Sequence, residues 1–121
     1  MVKGLGLDLC GISRMERMLS DVRFLNRFFT ADEIDYILAK GKSAAQTMAG
    51  IYAAKEALAK ALGTGIAFDL KEIGICHDEA GMPGYILSGK AAELGCGDCF
   101  LLSITHDAGI AAAVCVRENR E

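Results

Sequence analysis

The sequence predicts an α+β fold in which mixed or antiparallel strands wrap around one long central helix. Three observations carry this. Residues 48–65 are the strongest helix signal in the chain, alanine-rich with Leu, Lys and Glu at most other places and Gly63 and Gly65 to end it. Residues 2–10 alternate with the period of a strand. Two later pairs of alternating segments, 71–77 with 82–87 and 99–105 with 110–116, flank turn-forming residues and read as hairpins. A chain of 121 residues without linker, repeat or low-complexity tract is read as one domain, 1–121, with a modest core.

In order, the first strand puts Leu5, Leu7 and Leu9 on one side and Gly4, Gly6, Asp8 and Cys10 on the other. Glycines weaken a strand but permit close backbone approach, so Asp8 is expected to face a ligand or a packed helix. Ser13 and Glu16 form an S-x-x-E box that predicts a helix with Met15, Met18 and Leu19 inward and Arg14 and Arg17 outward. Residues 21–29 are a short apolar-basic segment. Thr30-Ala-Asp-Glu33 is a second capping box, opening a helix through Ile34, Ile37 and Leu38 that should stop at Gly41. The central helix is expected to start between residues 43 and 47. Pro83 marks a strand start near an edge, Ser88 caps a short helix ending at Gly95, and His106 lies at the mouth of the last hairpin.

Composition narrows the function classes. No apolar run approaches the length of a membrane span, and Met-Val-Lys-Gly does not begin a secretion signal, so a cytoplasmic protein without a membrane role is expected. Five cysteines at scattered apolar positions suit reduced thiols, and the Cys96-Gly-Asp-Cys99 spacing lacks the second pair or histidine of a zinc site. The net charge of −3 argues against general nucleic-acid binding. It is unevenly spread: residues 1–29 carry five basic side chains against three acidic, and the remainder eight against thirteen. A basic patch on an acidic protein invites an acidic partner.

At 100° per residue, Met48, Ile51, Tyr52, Leu58, Ala59 and Leu62 form one apolar face of the central helix. Ala49, Ala53, Glu56 and Lys60 fall on another arc, two charges beside two very small residues where something can approach closely. Glu56 and Lys60 could simply pair at i,i+4, for about 0.3 kcal/mol. Lys55 projects into the apolar face, where its ammonium must snorkel or find an anion.

Four segments in register sharpen this reading: Gly4-Leu5-Gly6-Leu7-Asp8-Leu9, Arg27-Phe28-Phe29-Thr30-Ala31-Asp32-Glu33, the run from Ala53-Ala54-Lys55-Glu56-Ala57 through Lys60-Ala61-Leu62-Gly63-Thr64-Gly65-Ile66, and Ser103-Ile104-Thr105-His106. Together they resemble the holo-acyl-carrier-protein synthase family, the short 4′-phosphopantetheinyl transferases, over about residues 4–116. The resemblance implies transfer of 4′-phosphopantetheine from coenzyme A to a serine of apo acyl carrier protein, with release of 3′,5′-ADP. It implies Asp8 and Glu56 as ligands of Mg²⁺, which suits a pair of carboxylates completed by water and phosphate oxygens. Lys60 and Lys55 would supply charge to the diphosphate; Gly63, Thr64, Gly65 and His106 would lie by the nucleotide. Arg14, Met18, Arg23 and Arg27 would receive the carrier protein. The serine proton would pass to water on the metal or to Lys55. A homotrimer with active sites between subunits also follows from the resemblance.

The chain departs from the family where an arginine commonly precedes the aromatic residue of the central helix, here Ile51, and where a basic residue follows the glycine loop, here a shortened Ala67-Phe68-Asp69. Recognition of the coenzyme A 3′-phosphate is therefore expected to differ. Two alternatives stand beside the transferase: a non-catalytic module that binds carrier protein through its arginines, and a metal-dependent diphosphate hydrolase using the same two carboxylates.

Overall fold

The computed structural model describes residues 1–65 and 68–120. Strand β1 (Val2–Gly11) runs directly into helix α1 (Ile12–Met18), followed by α2 (Val22–Phe28), α3 (Ala31–Leu38) and the central helix α4 (Ala44–Leu62). A hairpin of β2 (Ile73–His77) and β3 (Pro83–Leu87), the short helix α5 (Gly89–Gly95), and the hairpin of β4 (Cys99–Asp107) and β5 (Ile110–Glu118) complete the chain. The strands form a three-stranded sheet in the order β1-β5-β4 and the separate β2-β3 pair. Every ladder among the described residues is antiparallel, so of the two expected sheet types the mixed one falls away.

Helix α4 packs on one face of the three-stranded sheet, and small residues on both sides allow this. The strand residues beneath it include half-buried Gly4 and buried Gly6, Ala111, Ala113 and Cys115, and the helix brings Ala53, Ala57 and Ala61, also buried. Gly6 is at the closest approach: a Cβ there would stand 1.7 Å from the Ala57 carbonyl oxygen, where no side chain fits. The glycine side of β1 is thus the buried side. Leu5, Leu7 and Leu9 face outward, 65%, 64% and 60% exposed for Leu5, Leu9 and Leu7 respectively, and form an apolar band on the opposite face.

The capping box of α3 is present as expected, with Thr30 Oγ1 accepting from Glu33 N and Glu33 Oε1 from Thr30 N. The box predicted at Ser13 is absent. β1 passes into α1 without a loop, Gly11 is the cap residue, and Ile12 N donates instead to Gly109 O in the β4–β5 turn. Helix α3 ends at Leu38, before Gly41, and α4 begins at Ala44 and closes on left-handed Gly63. The cysteines are all free: Cys10 and Cys115 are buried, Cys76 and Cys96 exposed, and Cys99 between.

Candidate active site

Because α4 crosses the glycine side of β1, the carboxylate that follows those glycines meets the last turns of the helix. Lys60 Nζ donates to Asp8 Oδ1 (3.1 Å) and to the Leu7 carbonyl oxygen (2.9 Å). Lys60 therefore pairs across to the strand. The Asp8 side chain is 19% exposed and that of Lys60 56%, so the pair lies open to solvent on one side. Glu56, one turn earlier, is half-buried.

Three charged groups act on the Cys10 thiol. Burial pushes that thiol up, Arg14 opposes the shift, and the Asp8 and Glu56 carboxylates add to it. The same Arg14 guanidinium lies 5.4 Å over the ring of Tyr52, whose hydroxyl is raised by burial first and then by Glu56. Tyr52 in turn packs among Phe24, Phe28 and Phe29, at centroid distances of 6.3, 5.8 and 6.3 Å. A cavity of about 420 Å³ opens beside Glu56, walled by Arg27, Phe28, Tyr52, Phe68, Asp69 and Leu70. Glu56, Tyr52 and Arg27 thus line an open cavity one helical turn from the Asp8–Lys60 pair, with the Arg14 guanidinium over the Tyr52 ring.

The donor set fits magnesium. No cluster of three or more His, Cys, Asp or Glu side chains among the described residues could enclose a metal by itself. Mg²⁺ asks for less, one or two carboxylates with water and substrate phosphate oxygens. The Lys60 ammonium already occupies a cation position between two oxygens, those of Leu7 and Asp8.

The remaining expected residues divide. Arg14, Arg23 and Arg27 are exposed along α1 and α2, and Met18 is half-buried against the core. Gly63, Thr64 and Gly65 are exposed at the end of α4, with the first turn beyond Lys60; Ile66 and Ala67 lie outside the described residues. His106 is elsewhere. It sits on β4, the sheet edge opposite β1, in register through Ala111 with Cys10, and two strand spacings put it about 10 Å across from that strand. There Gln46 Nε2 meets its Nε2 at 3.0 Å, and Ile51, which is buried, lines a second cavity of about 270 Å³ together with both.

Lys55 does not join the group, and its expected part as phosphate ligand or base does not fit its surroundings. It is fully buried, and its Nζ donates to Glu33 Oε1 (2.8 Å), Ile73 O (2.7 Å) and Leu70 O (3.1 Å). All three protons are committed inside the protein. The sequence alone marks Glu33 as a helix cap and puts Tyr52 on the apolar face, whereas Tyr52 lines the cavity beside Glu56; the available signal for the buried pair is Lys55 on an apolar face, which requires an anion.

The chain is similar over its whole length to known proteins. The family model described as 4′-phosphopantetheinyl transferase superfamily matches residues 4–115. A holo-[acyl-carrier-protein] synthase of Treponema denticola is 44% identical, covering 98% of this chain and 100% of its own. One of Caldicellulosiruptor saccharolyticus is 38% identical over 100% of both. Among solved structures, the holo-[acyl-carrier-protein] synthase of Neisseria meningitidis superposes with a TM-score of 0.86 at 30% identity, covering 98% of this chain and 100% of that one. That of Helicobacter pylori, in complex with coenzyme A, gives 0.82 at 34% identity over 94% and 99%. With a match of this extent, the chain belongs to the 4′-phosphopantetheinyl transferase superfamily.

Proposed function

We propose that this protein is a holo-acyl-carrier-protein synthase: it transfers 4′-phosphopantetheine from coenzyme A to a serine of apo acyl carrier protein. The observation that carries the reading is the meeting of Asp8 and Lys60 where β1 meets α4, one helical turn from Glu56 and the cavity it lines, in a chain whose full-length relatives carry that name. The serine oxygen attacks the β-phosphorus as its proton passes to water, the bond to the bridging oxygen breaks, and 3′,5′-ADP leaves. Such a transfer needs positioning and charge stabilisation more than a protein nucleophile. Asp8 and Glu56 would hold Mg²⁺, which when bound neutralises diphosphate charge. Lys60 answers the negative charge that grows on the departing nucleotide, and the glycines around Thr64 let backbone approach it. Arg14, Met18, Arg23 and Arg27 receive the acidic carrier protein.

The active unit in this reading is a cytoplasmic homotrimer of the single domain. Two features support subunit contact: the exposed band of Leu5, Leu7 and Leu9, and the separation of His106 from Asp8 on opposite sheet edges, which lets one subunit's His106 serve its neighbour's nucleotide. The test is mass spectrometry of apo carrier protein incubated with coenzyme A, Mg²⁺ and this protein. A mass gain of one phosphopantetheine is expected; an unmodified carrier protein would overturn the proposal. Light scattering at assay concentration checks the assembly, where an active monomer would remove the trimer.

A further inference from the structure

Lys55 and Glu33 form a closed knot that no part of the chemistry above uses. The Lys55 ammonium is 0% exposed and the Glu33 carboxylate 2%. Glu33 Oε1 accepts from Lys55 Nζ and from Thr30 N, and Oε2 accepts from Ile75 N at 2.7 Å. Lys55 donates its other protons to the carbonyls of Leu70 and Ile73, which bracket a 3-10 turn at Leu70–Glu72. One pair of side chains thereby ties together the start of α3, the middle of α4, the turn and strand β2.

Burying such a pair is weak support for stability, since apolar residues of similar volume commonly serve as well. What an ammonium with three fixed acceptors adds is direction. An apolar residue at 55 would tolerate small rotations and slides of α4, whereas three hydrogen bonds to three other elements admit one seating. Two features of the cleft depend on that seating. Glu56 is the next residue on the same helix, so the rotation that seats Lys55 also aims Glu56. Leu70, held through its carbonyl, is a wall of the cavity that Glu56 shares.

We propose that Lys55 and Glu33 are positioning residues for the transfer reaction, fixing the aim of Glu56 and the wall at Leu70, and that Lys55 neither touches substrate nor carries its proton. This rests on the transferase reading; a wild-type protein that leaves carrier protein unmodified would defeat that reading and not this one.

The test compares wild type with the double variant E33L/K55M, in which the pair becomes apolar. The expected result is a melting temperature within a few degrees of wild type, a kcat at least tenfold lower, an unchanged KM for carrier protein, and weaker Mg²⁺-dependent binding of coenzyme A by calorimetry. A double variant that melts like wild type and keeps kcat within twofold overturns the proposal. Should the double variant not fold, Glu33→Gln, which keeps shape and one acceptor, decides the matter: a lowered kcat at unchanged carrier KM supports positioning, and an unchanged kcat overturns it. Failure of both variants to fold also overturns it, because the pair would then be a requirement of folding.

Discussion

Two lysine–carboxylate pairs hang on the same helix, five residues apart, and they differ in almost everything but chemistry. Lys60 reaches Asp8 at 3.1 Å with more than half of its side chain exposed. Lys55 reaches Glu33 at 2.8 Å with none of it exposed, and has two backbone carbonyls besides. An exposed pair is weak, typically under about 1 kcal/mol, and its partners can be exchanged for a metal ion or a phosphate. A buried pair cannot exchange without leaving a charge in the core. Accessibility, not residue type, separates the pair that can do chemistry from the pair that can hold it in place.

The sharpest break of this contrast is in activity. Asp8→Ala and Glu56→Ala should each lower transfer by roughly 10²–10³-fold or more, as loss of a principal charge-stabilising group does. Both should fold normally, since neither side chain is part of the core. Near-normal turnover of either variant at low Mg²⁺, measured by carrier-protein mass spectrometry, would remove that residue from the metal site.

Stability reverses the order of the pairs. Lys55→Met leaves Glu33 charged and buried, and should destabilise the protein by about 3–5 kcal/mol. For a chain of this length that is a fall in melting temperature on the order of 10–20 °C. Lys60→Met should change stability by less than about 1 kcal/mol while reducing activity. Thermal unfolding of the two variants side by side checks this; equal shifts would mean that burial does not distinguish the pairs.

Between these effects lies the carrier-protein patch. Arg23→Glu, on exposed α2, should raise KM for carrier protein severalfold, leave kcat alone and flatten the dependence on ionic strength. Arg14→Glu should change kcat as well, because Arg14 also covers the ring of Tyr52 beside Glu56. Steady-state kinetics over a salt series separate the two, and a KM without salt dependence in wild type would count against the patch.

The helix and both hairpins were legible because each has a local cause: alanines and a terminal glycine, or alternation broken by turn residues. The segments that carry Asp8 and Glu56 were legible through their motifs. What escaped was set by tertiary packing. Alternation along β1 gave two faces and no way to know that the leucine face would be outside, a choice made by the small residues of α4 and β5 beneath it. The S-x-x-E box at Ser13 failed because the Gly109 carbonyl, from the far end of the chain, already takes the donor at Ile12. Lys55 announced a buried anion, but the pairing with Glu33 spans two elements that no local rule connects.

The smallest expected effect tests a third pairing, one that holds strand ends and no catalytic group. Asp98 Oδ2 accepts from Lys3 Nζ (2.9 Å) and Arg117 Nε (2.8 Å), joining the start of β1, the α5–β4 loop and the end of β5. Its carboxyl is held below the ordinary carboxylate value, first by the Lys3 hydrogen bond and then by that of Arg117. A depressed value in the folded state means that the unfolded chain binds the proton more readily. The pair's contribution is therefore present above the ordinary carboxylate value and is lost as pH falls through the lower, folded one. Asp98→Asn should melt somewhat below wild type at neutral pH and converge with it in strong acid, with transfer activity at neutral pH unchanged because the site lies outside the cleft. Melting curves that stay parallel down to strong acid would show that Asp98 owes its place to shape and not to charge.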